Sequence, residues 1–445
     1  MKQNIRSIVS QVSAMGVFLC VVLVFISGGC IQRPNPKKVL ANRILTDTSL
    51  TVVDTMARSL LKKGFNAGSG YSQVWARDFN TFIEVALEEV NPSDIRGALL
   101  VFFSLQQPNN EMIDGYVLNK DFTWGDPNQY RSPADTAHVG FKNTVETDQE
   151  TSLIQAVGKY VQVTGDSSIL KENVAGKTVL ERMNDMVDYL LKERYSEKYG
   201  LLWGAMTADW GDVQPNTDNV VDIDPTTTPA IDVYDNAMFV IALEYLTAMT
   251  KDKTQAEKWA NLKTKIAENT RKYLWDVQKQ KFTPHIYLDK SPIPADFDEL
   301  QVYYHGGTAI AIEAGLLSKS EIDTSNKQML KNVHLSGAPS IGLTLYPVYP
   351  DHFFHGGMAK PFVYQNGGDW TWFGARMIQQ LVANGFEDEA YAEIRPMIDL
   401  VLKNKGFYEW YQVDGKPNGS AQFKGSAGTL AKAIQMLRAW AEKNK

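Results

Sequence analysis

Along most of the chain the apolar residues recur every three to four positions, and the strict apolar–polar alternation of half-buried strands is scarce. This pattern predicts twelve helices, over 47–63, 79–90, 93–107, 148–165, 177–193, 232–250, 254–273, 305–317, 319–332, 370–384, 386–403 and 427–442. In the fourth, Leu153, Val157, Tyr160 and Val161 form one apolar face, and in the twelfth Leu430, Ile434, Leu437 and Ala441 do. Pro396 in the eleventh predicts a kink or a late start, because proline lacks the N–H of the helical ladder and crowds the preceding turn.

The connections are unequal in a regular way. Four are tight, at Asn91-Pro92, Thr250 to Lys253, the boundary near Ser318, and Gly385. Others are long, over 64–78, 108–147, 194–231, 274–304, 333–369 and 404–426, and long ordered loops in a compact domain usually carry function. If the helices pair as αα-hairpins in a ring, every long loop falls on one rim. The expected fold is therefore all-α, an (α/α)6 barrel of six helical hairpins with an active site on that rim. An open α-solenoid is the alternative, but the segments lack a fixed repeat period. No Gly/Ser-rich linker divides the region, so 46–445 reads as one catalytic domain.

The N-terminus has a different pattern. Lys2 and Arg6 precede an uncharged apolar run, Ala14 to Ile26, which ends at Ser27-Gly28-Gly29-Cys30. The run falls short of the ~20 residues of a membrane span, and the small residues after it suit a signal-peptide cleavage site. The segment resembles a bacterial lipobox, with Ser27 where Leu is usual, which implies a lipoprotein signal peptide over 1–29 and lipidation of Cys30. An uncleaved anchor is the alternative. Residues 30–45 then read as lipid attachment and tether, Gln32 to Lys38 being its polar part. The mature chain is expected to be exported and lipid-anchored to a bacterial membrane, on the periplasmic side or the cell surface, with no other membrane contact. Cys20 lies in the signal, so no disulfide is available to the body and the core alone must stabilise it.

Composition narrows the classes. The 445 residues include 51 acidic and 45 basic ones, a formal charge of −6 without basic blocks, which argues against nucleic-acid binding. With 44% hydrophobic and 11% aromatic residues the chain is not disordered. Its six His form no spaced ligand set and no GxSxG is present, so neither a metal, a cofactor nor a serine nucleophile is expected. A monomer acting on an oligosaccharide or polysaccharide is.

That last reading comes from the loops. The first holds Trp75, Arg77 and Asp78; the second ends in Glu146-Thr147-Asp148; the third holds Asp209-Trp210-Gly211-Asp212. The fourth ends in His305, the fifth carries Asn366, Asp369 and Trp370, and the sixth has Glu409-Trp410-Tyr411. Indole faces stack on sugar rings, while carboxylates, Arg, Asn and His bond ring hydroxyls. Glycoside cleavage further needs two carboxyl groups, one protonated and one ionised. Each motif also has a plain reading: Arg77-Asp78 and Asp148 as helix caps, the Trp residues as core. The coincidence of Trp and carboxylate in all six loops favours the site.

These residues resemble the six-hairpin glycosidase superfamily of glucoamylases, processing α-glucosidases, trehalases and disaccharide phosphorylases. Val74-Trp75-Ala76-Arg77-Asp78 is similar to their sugar-gripping W-x-R-D motif, and Tyr364-Gln365-Asn366-Gly367-Gly368-Asp369-Trp370 to their N-G-G-x-W segment. The resemblance implies that Asp212 is the general acid, with Asp209 as substitute, and that Glu409, within Phe407-Tyr408-Glu409-Trp410-Tyr411, is the general base. It places Trp75, Arg77, Asp78, Glu146, Asp148, Asp209, Trp210, His305, Asn366, Asp369, Trp370 and Tyr411 against the substrate. Lys424-Gly425-Ser426 departs from the aromatic that many relatives carry beside Ser, and the N-terminal β-sandwich of many relatives is not expected. The implied activity is hydrolysis of α-linked, gluco-configured oligosaccharides with inversion, the two carboxyl groups about 6.5–9.5 Å apart. Alternatives remain: a phosphorylase, with a phosphate nest from His305, His352 and the Gly pairs; a catalytically inactive glycan-binding lipoprotein; and an enzyme for uronic-acid glycans, against which Arg77 stands as the rim's main cation.

Overall fold

The computed structural model describes residues 35–122, 129–215 and 219–445. The expected signal peptide, Cys30 and the first part of the tether lie outside the described residues. Among those described, thirteen α-helices form the fold. They are α1 (Pro36–Thr46), α2 (Thr48–Leu61), α3 (Ala76–Ala86), α4 (Pro92–Ser104), α5 (Gln149–Thr164), α6 (Val179–Glu193), α7 (Val233–Met249), α8 (Lys253–Leu274), α9 (His305–Glu313), α10 (Lys319–Ser336), α11 (Thr371–Ala383), α12 (Glu387–Asn404) and α13 (Lys424–Asn444).

Each of α3, α5, α7, α9, α11 and α13 packs on the next, and α13 returns to α3, so these six close a ring. The remaining helices α2, α4, α6, α8, α10 and α12 form the outer layer, as an (α/α)6 barrel requires. Their sequences explain the division. Inner α7 is buried without a break from Val233 to Leu243, whereas outer α8 buries only Trp259, Ile266, Thr270 and Leu274 along one stripe. All twelve expected helices are present. Pro396 sits inside α12, which starts at Glu387 rather than late.

α1 was not expected. Its first turn, Pro36 to Lys38, occupies the stretch read as tether, and Leu40, Ala41 and Ile44 bury against the barrel, α13 included. Asn35 accepts from the Lys37 N–H and Pro36 takes the first helical position, which is the chemistry of a helix start and not of a spacer.

Capping also differs between the layers, with α12 the uncapped exception among the outer helices. α2, α4, α6, α8 and α10 start with side-chain caps from Asp47, Asn91, Thr178, Asp252 and Ser318. The N-cap residues of α3, α5, α9, α11 and α13 make no side-chain cap bond; among inner helices only α7 is capped by its own N-cap residue, Asp232. Every long loop enters an inner helix, so the inner N-termini, with their positive dipole ends, gather at one rim. Strands β1 (Val74–Trp75), β2 (Gly115–Leu118), β3 (Gln129–Ser132) and β4 (Asp135–Phe141) form an antiparallel sheet there, in the order β1-β2-β4-β3.

Further along the inner helices lies a charged layer: Glu84 of α3, Lys159 of α5, Glu313 of α9, Arg376 of α11 and Lys432 of α13. The buried Arg376 guanidinium donates through Nε and Nη2 to Glu313 Oε2 at 3.1 and 2.9 Å, and Lys432 Nζ lies 2.9 Å from Glu84 Oε1. Removing one partner of such a pair leaves the other charge uncompensated in the barrel. Glu313→Ala is therefore expected to cost about 3 kcal/mol in urea denaturation; a loss under about 0.5 kcal/mol would show that this layer does not hold the ring.

Candidate active site

The gathered N-termini surround a cavity of about 240 Å³. Its walls are indoles and carboxyl groups: Trp75, Trp210, Trp370 and Trp372, with Asp78, Asp114, Glu146, Asp212 and Glu409. Among the described residues Arg77 is its one cationic lining residue.

Arg77 projects from the first turn of α3, which β1 anchors by pairing Trp75 with Gly115. A side chain at Gly115 would collide with the Trp75 ring. Arg77 Nε and Nη2 donate to Asp148 Oδ2 and Oδ1 at 2.6 and 3.1 Å, and Nη2 lies 3.0 Å from Glu146 Oε1. Tyr234 OH also donates to Asp148 Oδ2, at 2.6 Å. The chain continues through Gln149, whose Nε2 donates to Glu146 Oε2 and whose Oε1 accepts from Lys142 Nζ at 3.0 Å. Asp148 stands at the N-cap of α5 yet makes no cap bond, because its carboxylate is engaged by Arg77.

Glu409 lies in the hairpin Tyr408–Tyr411/Pro417–Ala421. Its Oε2 accepts from the Ser420 N–H at 2.7 Å and its Oε1 from Tyr71 OH at 2.9 Å. Gly419 has φ +65° and its missing Cβ leaves room for that carboxylate. Burial pushes the Glu409 carboxyl above its ordinary range, opposed by the Ser420 and Tyr71 bonds. Asp212 follows the turn Ala208–Gly211, closed by Gly211 N–H to Ala208 O at 3.0 Å. Tyr364 OH is 3.4 Å from Asp212 Oδ2. Burial raises Asp212 as well, opposed chiefly by Arg77, and it pushes Asp78 up to about 7. Trp210 stacks on Phe373 at 4.3 Å and meets Trp370 edge-on at 4.6 Å, fixing the wall next to Asp212.

Six buried polar atoms of lining residues have no hydrogen-bond partner: Asp78 Oδ1, Asp114 Oδ1, Asp212 Oδ1, Gln365 Oε1, Trp210 Nε1 and Trp372 Nε1. Four accept and two donate. Leaving a buried polar atom unpaired costs about 1–3 kcal/mol.

Of the expected site residues, Trp75, Arg77, Asp78, Glu146, Trp210, Asp212, Trp370 and Glu409 line this cavity. Six do not. Asp148 positions Arg77. Asp209, at φ +56°, turns its carboxylate to the Gly306 and Gly307 N–H groups at 2.7 and 2.8 Å and caps α9 from another loop. His305 is buried against Asn332 Nδ2 at 3.1 Å, and burial drives its imidazole down to about 3, so it stays neutral. Asn366 clasps the Tyr349 backbone, accepting from its N–H at 2.9 Å and donating to its carbonyl at 3.2 Å. Asp369 accepts from the Ser340 N–H and hydroxyl at 2.8 Å, and Tyr411 is buried in backbone pairing with Asp369. These residues brace the loops. His352, the other member of the imagined phosphate nest, lies at the surface beside Asp351 and Lys360, outside this cavity. Conversely, Tyr71, Asp114, Asn143, Gln149, Tyr364, Gln365, Trp372 and Phe423 line it without having been singled out. Five of these eight stand in or next to the motifs already noted; Tyr71, in the loop 64–78, and Asp114 and Asn143, near the two ends of the loop 108–147, carry no distinguishing signal. Among the described residues no group of three or more His, Cys, Asp and Glu is arranged to hold a metal ion, and no helix is long and apolar enough to cross a membrane.

The family model "Glycosyl hydrolase 94 superfamily, catalytic domain" matches residues 44–355. No curated protein sequence matches the chain. Among solved structures, the fold is similar to a GH63 mannosylglycerate hydrolase from Thermus thermophilus, in complex with glucose, with TM-score 0.60 and 15% identity over 87% of this chain and 99% of that one. It is also similar to a rhamnosidase from Klebsiella oxytoca with rhamnose bound, with TM-score 0.58 and 12% identity over 88% of this chain and 64% of that one.

The geometry separates residues that hold the loops from residues that face the cavity. Asp209→Ala and Asn366→Ala each strand buried backbone partners and are expected to cost about 2–3 kcal/mol in urea titrations followed by tryptophan fluorescence. Asp212→Asn and Glu409→Gln relieve like charge and should change stability by less than about 1 kcal/mol, or raise it. Equal losses in all four variants would contradict the division.

Proposed function

Since the chain belongs to the glycosyl hydrolase 94 superfamily, whose catalytic domain it matches over 44–355, we propose that it hydrolyses glycosidic bonds of oligosaccharides with inversion, Asp212 acting as general acid and Glu409 as general base. The observation that carries this reading is the pocket itself: the carboxyl groups of Asp212 and Glu409 among further carboxyl groups and indoles, in a cavity that suits a polyhydroxylated ring.

In this reading Asp212, its carboxyl raised by burial, gives its proton to the leaving oxygen as the glycosidic C–O bond breaks. Glu409, oriented by Ser420 and Tyr71, takes a proton from a water whose oxygen bonds to the anomeric carbon on the opposite face. Asp212 ends ionised and Glu409 protonated, and exchange with solvent restores both. Asp78, which faces both, grips sugar hydroxyls, and Trp210 and Trp370 wall the ring.

Water is favoured over phosphate as nucleophile by the same inventory. A phosphate needs several free donors or cations. Here the guanidinium is engaged by Asp148 and Glu146, His305 is neutral and bonded to Asn332, and carboxyl groups outnumber Arg77 around the cavity. An anionic uronic-acid unit meets the same repulsion. The motif resemblance supports an α-linked, gluco-configured substrate. The apolar run 14–26 followed by Cys30 supports export and lipid anchoring to a bacterial membrane, with the chain a monomer that needs no cofactor.

Glu409→Gln is expected to lower kcat at least about a thousandfold while sugar binding survives; retention of more than about a tenth of the activity would remove Glu409 from this role. Tyr71→Phe deletes a bond that favours the ionised form of Glu409, so the acid limb of kcat/KM should move to higher pH, by about half to one unit. A limb that stays or moves down would contradict the assignment.

A further inference from the structure

We propose that Lys424 is a positioning residue for the general base: through Asn66 it holds the loop that presents the Tyr71 hydroxyl to Glu409. The inference rests on the hydrolase reading above and deepens it.

Lys424 is the first residue of α13, only 3% exposed, and the reaction above makes no use of it. Its Nζ donates to the Asn66 carbonyl at 2.7 Å and to Asn66 Oδ1 at 2.8 Å, and its N–H donates to Ala67 O at 2.7 Å. An ammonium can only donate, so it fixes which end of the Asn66 amide faces it. The other end, Nδ2, is thereby aimed along the loop, where it donates to Gly68 O and to Tyr71 O at 2.8 Å each. Tyr71 OH in turn donates to Glu409 Oε1 at 2.9 Å. Contacts through Asn66 and Tyr71 thus join the start of α13 to the catalytic carboxylate.

The same loop is fastened on its other side to the hairpin that carries Glu409. Ser69 N–H donates to Ala421 O at 2.7 Å and Gly70 N–H to Ser420 Oγ at 2.9 Å, while the Ser420 N–H serves Glu409 Oε2. A side chain at Gly68 would collide with Ser420, so loop and hairpin lie in direct contact. Each Glu409 oxygen therefore takes its donor from this clasp, and Lys424 closes the side of the loop that the hairpin does not reach. A bond from Tyr71 favours the ionised carboxylate, so loosening the clasp raises the pH at which Glu409 gains its proton. Glu409 faces Asp78, Asp212, Tyr71 and Tyr364, and Lys424 faces Asp78 and Lys63. Because Asp78 belongs to both sets, the test must separate a path through the bonds from one through the electric field.

That test follows kcat/KM against pH for fluoride release from α- and β-D-glucosyl fluoride by the full chain. Lys424→Met removes the ammonium; Asn66→Ala breaks the link without changing the charge and, in a half-buried loop, keeps the test open should Lys424→Met not fold. Each is expected to move the acid limb to higher pH by about half a unit. In a Tyr71→Phe background each should move it by less than about 0.2 unit, because the path then no longer reaches Glu409. A limb left in place by Asn66→Ala, or moved equally by Lys424→Met in both backgrounds, would overturn the positioning role and leave Glu409 as the base. Failure of the wild type to release fluoride from either anomer would overturn the gluco-hydrolase reading, and this inference with it.

Discussion

The guanidinium of Arg77, pinned by both oxygens of Asp148 and by Glu146, is the interaction on which the rim depends. Among the described residues, five carboxyl groups share one cavity with this single lining cation. Burial pushes the carboxyl groups of Asp78, Asp114, Glu146 and Asp212 up; Arg77 is the chief charge that pulls Asp78, Glu146 and Asp212 back toward ionisation, and Lys142 is the chief one for Asp114. The position of Arg77 sets how many protons the pocket holds, and Tyr234 and Asp148 fix that position from behind. The uncapped inner helices assist, since their positive ends point at the same rim.

Function here has a structural cost that the rest of the barrel bears. Six unpaired buried polar atoms around one cavity are destabilising in the free protein. The continuously buried first three turns of α7, the Arg376–Glu313 pair and the capping boxes of α6 and α10 offset that cost. Residues that resemble catalytic ones in type, such as Asp209, Asp369 and Asn366, belong to this supporting side. They tie loop to loop, so that Asp212 and Glu409 are presented by segments far apart in sequence on a rigid frame.

The fold was legible because helix amphipathicity is local. Inner α7 and outer α8 announce their layers in composition alone, and the alternation of tight and long links places the loops on one rim. α1 escaped because Pro36-Lys37-Lys38 looks like a spacer and its buried positions, Leu40, Ala41 and Ile44, are too few to make a pattern. The site was half legible. Motifs located the loops but not which carboxylate in each loop turns inward: Asp209 and Asp212 are three residues apart, and only the φ +56° turn decides that one caps α9 while the other lines the cavity. Asp148 was caught between two readings, cap or ligand, and proves to be neither, because Arg77 claims it. Asp114 and Tyr71 gain their roles from partners in other parts of the chain, Asn143, Phe141 and Glu409, which no local signal reveals.

The most direct measurement is proton NMR of the anomeric region while the protein acts on a panel of α- and β-linked gluco-oligosaccharides, with and without inorganic phosphate. The account requires a free sugar whose first-formed anomer is opposite to that of its substrate, released at a rate that phosphate does not change. A sugar phosphate as product, or a first-formed sugar of retained configuration, would contradict it.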